Sequence, residues 1–287
     1  MSDASAVNSN AVNNGVCYRH PDRQSFVLCQ RCGRTICGEC QTPAAVGFHC
    51  PECIREARQN APKVKSRARI ALSSTSGTPV VTYAIMALCV VVWLAQVFVG
   101  DLVTAYLLYY PPITAAEPWR MLTVAFVHST GSPFHLLFNM YALWLFGRML
   151  EPMLGRWRFL ALYLIAGFGG SVAVLLLAPT SFVVGASGAV FGLFSAFFVI
   201  QRRLGARSMQ LIVVIGINLV IGFVVPGISW QGHVGGLIAG ALVALVYMAT
   251  RRSSQRNAQI LGVVGIVGLL LALTVVGWMM IAARYGL

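Results

Sequence analysis

Two glycine-flanked polar residues interrupt the apolar sequence: Ser187 in GASGAVFG, residues 185–192, and His233 in QGHVGG, residues 231–236. Each lies at the start of a long apolar run, where a reactive side chain has little structural reason to occur. A neutral imidazole near pH 7 can take the proton of a serine hydroxyl and so activate it as a nucleophile. The two motifs therefore predict a catalytic serine–histidine pair inside a membrane.

The composition also indicates a membrane protein. The chain is 57% hydrophobic and only 10% charged, whereas soluble domains are about 25% charged. A membrane-spanning helix needs about 20 apolar residues. The sequence predicts seven spans, which we place at 80–100, 134–150, 157–178, 186–201, 210–225, 233–250 and 259–282. The predicted fold class is an all-α, multi-pass membrane protein.

Charge is distributed unevenly over the loops. The net charge is +13, and arginines and lysines concentrate before the first span and in alternate loops after it. Positive charge favours the cytoplasmic side, so we expect a cytoplasmic N-terminus and a C-terminus outside. This charge is best explained by topology and by contact with anionic lipid, and nucleic-acid binding is not expected. The first 60 residues contain no apolar stretch typical of a signal peptide, and a bacterial cytoplasmic membrane is the expected location.

The N-terminal region contains four pairs of potential metal ligands. A gap of two residues lets both side chains of a turn reach one ion, and thiolate and imidazole are ligands that zinc prefers. The pairs are Cys17 and His20, Cys29 and Cys32, Cys37 and Cys40, and Cys50 and Cys53, with His49 as an alternative in the last pair. Eight ligands predict two structural Zn²⁺ ions, without which so short a segment could not bury enough core to fold.

A disulfide framework is the alternative, but it requires an oxidising compartment rather than the cytoplasm. The spacing resembles the B-box and related cross-braced zinc fingers, although one sequence leaves sequential and alternate pairing open. The predicted organisation is a disordered segment 1–16, a zinc module 17–56, a linker 57–78, a membrane core 79–250, and a seventh span with its tail, 251–287. A cytoplasmic protein partner of the zinc module is a further hypothesis.

The topology explains how Ser187 and His233 could meet. The fourth and sixth spans run parallel, so both residues lie at a similar depth near the outer face. Glycines repeat every four residues on both spans and allow close helix packing in lipid. No acidic residue is obviously placed beside His233, so a dyad without a carboxylate is predicted. Phe191, one turn after Ser187, is placed to stack on the imidazole.

The second predicted span carries another polar stripe. His135 and Asn139 are four residues apart and therefore share one helix face. Polar groups in a spanning helix usually face the bundle or a wet cavity, where these two could stabilise an oxyanion. A hydrogen-bonded pair between helices is the simpler alternative.

These motifs together resemble the rhomboid intramembrane serine proteases. The resemblance rests on Trp119–Arg120, HxxxxxxHxxFN from His128 to Asn139, GASG from Gly185, and HVGGxxxG from His233. It implies a six-helix core, to which this chain adds a seventh span. It also implies Ser187 as nucleophile, His233 as base, and His135, Asn139 and the Ser187 amide as the oxyanion hole. Supporting roles are implied for Gly185, Phe191, Trp119, Arg120 and His128.

The resemblance further implies that the substrates are transmembrane proteins, cut near the outer end of an unstable helix. No cofactor is expected for catalysis. His128 is expected either to line a hydrated pocket or to anchor its loop. Two other functions stay open: a catalytically silent relative that binds membrane clients, and a transporter or zinc-responsive channel. The second alternative is disfavoured because the spans show neither an inverted repeat nor an intramembrane carboxylate.

Overall fold

The computed structural model describes residues 15–60, 78–205 and 209–286. The chain divides into two compact units, Met1–Ile70 and Ala71–Leu287. The interpretations of residues 1–16 as disordered and of 57–78 as a linker lie largely outside the described residues.

Short strands and one helix form the N-terminal unit. Strand β1 (Val16–Cys17) pairs antiparallel with β2 (His20–Gln24), and β3 (Thr42–Pro43) pairs antiparallel with β4 (Phe48–His49). Helix α1 follows at Pro51–Asn60. The buried core of this unit consists of cysteines and a single aliphatic side chain, Ile36. Such a core contributes little hydrophobic stabilisation, so another source of stability is required.

The second unit is helical. Its helices are α2 (Val80–Val99), α3 (Asp101–Leu107), α4 (Arg120–Thr123), α5 (Pro133–Leu154), α6 (Arg156–Leu177), α7 (Ser187–Arg203), α8 (Met209–Val224), α9 (Trp230–Ala249) and α10 (Arg256–Tyr285). A helix covers each of the seven predicted apolar segments. The helices in the second and seventh predicted spans are longer than predicted: α5 continues beyond residue 150 to Leu154, and α10 runs from Arg256 to Tyr285 instead of from 259 to 282.

Four segments of the described chain are long and apolar enough to cross a membrane. They are Val80–Val99, Arg156–Leu177, Trp230–Ala249 and Ser253–Tyr285, and Met209–Val224 is a shorter apolar helix. Most of α10 is not covered by the rest of the unit. The unit is therefore a mostly helical membrane protein with large apolar surfaces.

Helices α6, α7 and α9 form the centre of the bundle and meet through glycine. A Cβ atom built at Gly236 would overlap the carbonyl oxygen of Gly188, and one at Gly240 would overlap that of Gly192. On the other side of α9, a Cβ atom at Gly235 would overlap the carbonyl oxygen of Gly169 in α6. Because these contacts involve backbone atoms, a larger side chain would push the helices apart.

A buried carboxylate fixes the start of α2. Glu151, in the last turn of α5, accepts hydrogen bonds from the backbone N–H of Val81 (3.0 Å) and from the backbone N–H of Thr82 (2.8 Å). The Thr82 hydroxyl also donates to it, at 2.7 Å. The first N–H groups of a helix lack partners within the helix, and a negative charge there is favourable. Glu151 thus links α5 to the N-terminus of α2.

Candidate functional site

Ser187 and His233 lie in hydrogen-bonding contact. The Nε2 atom of His233 is 2.9 Å from the Oγ atom of Ser187. Ser187 is the first residue of α7, and His233 lies in the first turn of α9, whose N-cap Ser229 accepts a hydrogen bond from the N–H of Gly232. The backbone contacts between α7 and α9 bring the two side chains together although 46 residues separate them.

The two residues border a cavity of about 750 Å³. His135, Asn139 and Gly185 line the same cavity. A cavity of this size falls within the range of small-molecule binding pockets, which are about 300–1,000 Å³. It is therefore large enough to hold an extended peptide segment together with water.

The imidazole of His233 packs against two residues. The ring of Phe191 stacks on it with a centroid separation of 4.1 Å and an interplanar angle of 12°. Gly222 of α8 lies close to Nδ1, where a Cβ atom would be 3.2 Å from that nitrogen. Within the described chain, Nδ1 of His233 has no hydrogen-bond partner. The ring orientation thus depends on stacking and packing together with the contact to Ser187.

His135 and Ser187 both lie close to Gly185. Its Nδ1 atom accepts a hydrogen bond from the backbone N–H of Ser129 at 3.2 Å. In a neutral imidazole the other nitrogen then carries the hydrogen and is a donor. That Nε2 atom borders Gly185, whose φ is +127° and where a Cβ atom would lie 2.9 Å from His135 Nε2 and 3.7 Å from Ser187 Oγ. Gly185 therefore leaves open a small volume between the donor and the hydroxyl.

Asn139 and His128 differ in their placement. The amide nitrogen of Asn139 donates to the backbone carbonyl of His135 at 2.8 Å, and the residue lines the cavity. His128 is fully buried and lies outside the cavity lining, with no partner for either ring nitrogen within the described chain. Its backbone N–H and carbonyl are both bound by the side-chain amide of Gln96. This arrangement fits an anchor for the loop better than a residue in contact with the cavity.

Trp119 and Arg120 lie in the segment between α2 and α5. Arg120 is buried and contacts the carboxylate of Glu117 and the backbone carbonyl oxygens of Ala105 and Leu108. Trp119 is half exposed. Arg120 therefore ties the segment around α4 to α3, whereas Trp119 presents an aromatic ring at the surface.

The eight predicted metal ligands form two groups with alternate pairing. The first group contains Cys17, His20, Cys37 and Cys40, and the second contains Cys29, Cys32, Cys50 and Cys53. Within each group the ligand atoms lie within 4.8 Å of one another. The Cys32 and Cys50 sulfurs are 3.7 Å apart, far longer than a disulfide bond of about 2.05 Å and suited to a tetrahedral ion with Zn–S bonds of about 2.3 Å. His49 belongs to neither group. Cys50, to which His49 was the predicted alternative, is a member of the second group.

The thiols of the two groups differ in the direction of their pKa shifts. Burial raises the pKa of Cys17, but hydrogen bonds from the backbone amides of Cys37 and Arg19 outweigh it and lower this pKa to about 6. The pKa of Cys29 is likewise lowered to about 6, by backbone amides that include that of Cys50, against the opposing effect of burial. In contrast, burial and the neighbouring thiols raise the pKa of Cys40 to about 11. A divalent cation would stabilise all four ligands of each group in their metal-binding forms.

Known proteins match the membrane unit. The rhomboid domain profile matches residues 115–250. "Rhomboid protease GluP" of Bacillus subtilis is 37% identical over 180 residues, which are 59% of this chain and 35% of GluP. "Putative rhomboid protease YdcA" of Bacillus subtilis is 35% identical over 191 residues, which are 62% of this chain and 92% of YdcA. The chain belongs to the rhomboid family. "RHOMBOID-like protein 4" of Arabidopsis thaliana is also similar, with 37% identity over 139 residues, covering 46% of this chain and 34% of that protein.

Sequence reasoning missed several residues of this rhomboid. Gly169 and Gly170 place α6 against α9, and they could have been recognised from the small residues GFGGS inside an apolar run. Glu151 could have been recognised as the single acidic residue near the end of the second apolar run. Gly222 gave no such signal, because its proximity to His233 depends on how α8 packs against α9.

Proposed function

We propose that this rhomboid is an intramembrane serine endopeptidase that hydrolyses peptide bonds in or near the transmembrane helices of membrane-protein substrates. The observation that carries the proposal is the 2.9 Å contact between His233 Nε2 and Ser187 Oγ beside a cavity of about 750 Å³. This distance lies within the range required of a nucleophile and its general base. The GluP and YdcA names, which describe rhomboid proteases, support the same reaction class.

The proposed reaction follows the general course of serine proteases. His233 Nε2 takes the proton of Ser187 while Oγ attacks the substrate carbonyl, and the imidazolium then protonates the leaving amine. Water next hydrolyses the acyl-enzyme, with His233 again as the base. Nδ1 must carry the ring hydrogen for Nε2 to accept a proton. Stacking on Phe191 restricts the ring to the orientation in which Nε2 faces Ser187.

The oxyanion of the tetrahedral intermediate needs donors close to Ser187. We assign this role to Nε2–H of His135, the side-chain amide of Asn139 and the backbone N–H of Ser187. The position of Gly185 between His135 and Ser187 supports the assignment, because any side chain there would enter the volume between them. Asn139 has one amide hydrogen committed to the His135 carbonyl and a second available for the substrate.

A substrate helix must unwind before it can react. The carbonyl groups of an intact helix are hydrogen-bonded and enclosed by side chains, so Ser187 cannot approach them. Segments rich in glycine, proline or polar residues unwind at lower cost. We therefore propose single-pass membrane proteins with such segments as substrates.

The proposed topology contains seven spans in a bacterial cytoplasmic membrane. The six helices α2 and α5–α9 form the protease core, residues 79–250, and α10 forms the seventh span within 251–287. The basic residues at their ends support a cytoplasmic N-terminus and a C-terminus outside. Ser187 and His233 then lie near the outer face.

We propose that residues 17–56 form a B-box-like module with two structural Zn²⁺ ions. The fit of the two alternate ligand groups and the scarcity of other buried side chains support this assignment. Zinc supplies folding free energy to a module that has little core of its own. The module is a candidate site for binding a cytoplasmic protein partner.

Cleavage of a helix-destabilised transmembrane reporter tests the function. The wild-type protein is compared in detergent with Ser187→Ala and His233→Ala, each shown to be folded by thermal unfolding. We expect both variants to lose nearly all activity, because catalysis by such residues depends on the pair acting together. A folded Ser187→Ala protein that cleaves like the wild type contradicts the dyad, whereas a wild type that binds reporters without cutting them supports the client-binding alternative.

A further inference from the structure

A second cavity lies at the other end of the helix bundle. Its volume is about 280 Å³, and its lining includes Leu204, which follows the C-terminus of α7. Ser187 is at the opposite end of this helix, roughly 25 Å away at 1.5 Å per residue. The cavity is therefore separate from the site around Ser187 and has no part in the proposed reaction.

Two arginines line this cavity from different helices. Arg158 comes from the first turn of α6, and Arg251 follows the C-terminus of α9. Neither forms an ion pair within the part of the chain that the structure describes. The carboxylate of Glu151 lies in the neighbouring turn of α5, but both of its oxygens accept hydrogen bonds from α2. Among the described residues, the two positive charges thus have no anionic partner.

The rest of the lining is largely apolar. Met153, Leu204 and Met248 contribute side chains, and the guanidinium group of Arg251 donates to the sulfur of Met248 at 2.9 Å. The hydroxyl of the buried Tyr247 donates to the backbone carbonyl of Arg158 at 3.2 Å and so joins α9 to the start of α6. Cationic groups next to an apolar wall match a ligand that has both an anionic group and a hydrocarbon chain.

We propose that this cavity binds the phosphate group of an anionic phospholipid. Guanidinium groups are well suited to bind phosphate through charge-assisted hydrogen bonds. Basic pockets between transmembrane helices on the cytoplasmic side are suited to anionic lipid head groups. The phosphate lies between Arg158 and Arg251, and an acyl chain follows the apolar side chains. Free phosphate could bind the same two arginines, but it has no hydrocarbon chain to contact the apolar side chains of the cavity.

Native mass spectrometry of the full-length protein in detergent tests this site. The protein is titrated with dioleoylphosphatidylglycerol or with dioleoylphosphatidylcholine, which has the same acyl chains but no net charge. Two arginine contacts predict a preference of about 30-fold for the anionic lipid. We expect the double variant Arg158→Gln/Arg251→Gln to lose most of this preference. The matched control Arg156→Gln/Arg252→Gln removes equal charge from neighbouring positions outside the cavity and should retain it.

Further measurements separate the possible explanations. Leu204→Trp narrows the cavity without changing charge and should weaken binding of the anionic lipid. This variant keeps the proposal testable if the double variant does not fold. Millimolar inorganic phosphate should displace little lipid, and complete displacement would identify free phosphate as the ligand and overturn the lipid assignment. Equal binding of both lipids by the wild type, or equal losses in the double variant and its matched control, would also overturn the proposal.

Discussion

Replacing Gly236 by alanine should disrupt the contact that brings the catalytic pair together. Gly236 lies on α9 directly opposite Gly188 on α7, and a Cβ atom at this position would overlap the carbonyl oxygen of Gly188. The carbonyl carbon and the Cα atom of Gly188 lie in the same direction, the latter at 3.1 Å. Because all three are backbone atoms, no side-chain rotation can relieve the overlap, and the two helices must separate.

The expected losses of stability and of catalytic rate follow from this geometry. Insertion of one carbon into a packed interface costs about 1–3 kcal/mol of unfolding free energy. Ser187 precedes Gly188 by one residue, and His233 precedes Gly236 by less than one turn, so the separation acts directly on the 2.9 Å contact. A displacement of about 1 Å between reacting groups can reduce the rate by roughly 100-fold. Gly236→Ala should therefore lower kcat by roughly 100-fold and the free energy of unfolding by about 1–3 kcal/mol.

The assay measures reporter cleavage and thermal unfolding in the same detergent. Gly265→Ala is the matched control, because Gly265 lies in α10 and a Cβ atom there would meet nothing within 4 Å. Alanine at that position should be neutral or stabilising by up to about 1 kcal/mol, owing to its higher helix propensity. A Gly236→Ala protein with the activity and stability of the wild type would refute the close backbone contact between α7 and α9.

Three further predictions concern separate parts of the chain. Glu151→Ala should lower the unfolding free energy by about 3 kcal/mol, since it leaves buried donors of α2 without partners. Thermal unfolding measures this loss, which should be smaller for Glu151→Gln. Equal stability of both variants and the wild type would contradict the role of the carboxylate. Gly185→Ala should reduce kcat in the reporter assay, because alanine is strained at a φ of +127° and its Cβ atom would lie beside His135 Nε2. An unchanged kcat would show that the volume between His135 and Ser187 has no part in the reaction. Cys29→Ser should reduce the zinc content of the purified protein, measured by mass spectrometry of the metal, from two ions towards one; a content that stays at two would show that Cys29 is not a ligand.

Local features of the sequence were sufficient to predict the seven apolar helices, but not α1, α3 or α4. Apolar runs of about 20 residues favour helices wherever they occur in a membrane protein, because each helix satisfies its own backbone hydrogen bonds. The structure accordingly contains a helix in each predicted segment. Their ends were harder to predict, because α5 extends beyond residue 150 to Leu154 and includes Glu151, whose carboxylate is buried by contact with α2. The candidate residues Ser187 and His233 were recognisable because polar residues are rare in such runs.

The sequence by itself determined the composition of the two units: cysteine pairs spaced to bind metal in one, and apolar helices carrying a serine and a histidine in the other. Only the tertiary structure decided which cysteine and histidine pairs lie together and which polar groups contact Ser187. It also decided that Arg158 and Arg251 line one cavity. The physical reason is that spacing along the chain constrains only neighbouring residues, whereas these contacts join residues that are distant in sequence. Their distances depend on how closely the helix backbones pack, which glycines on three different helices allow.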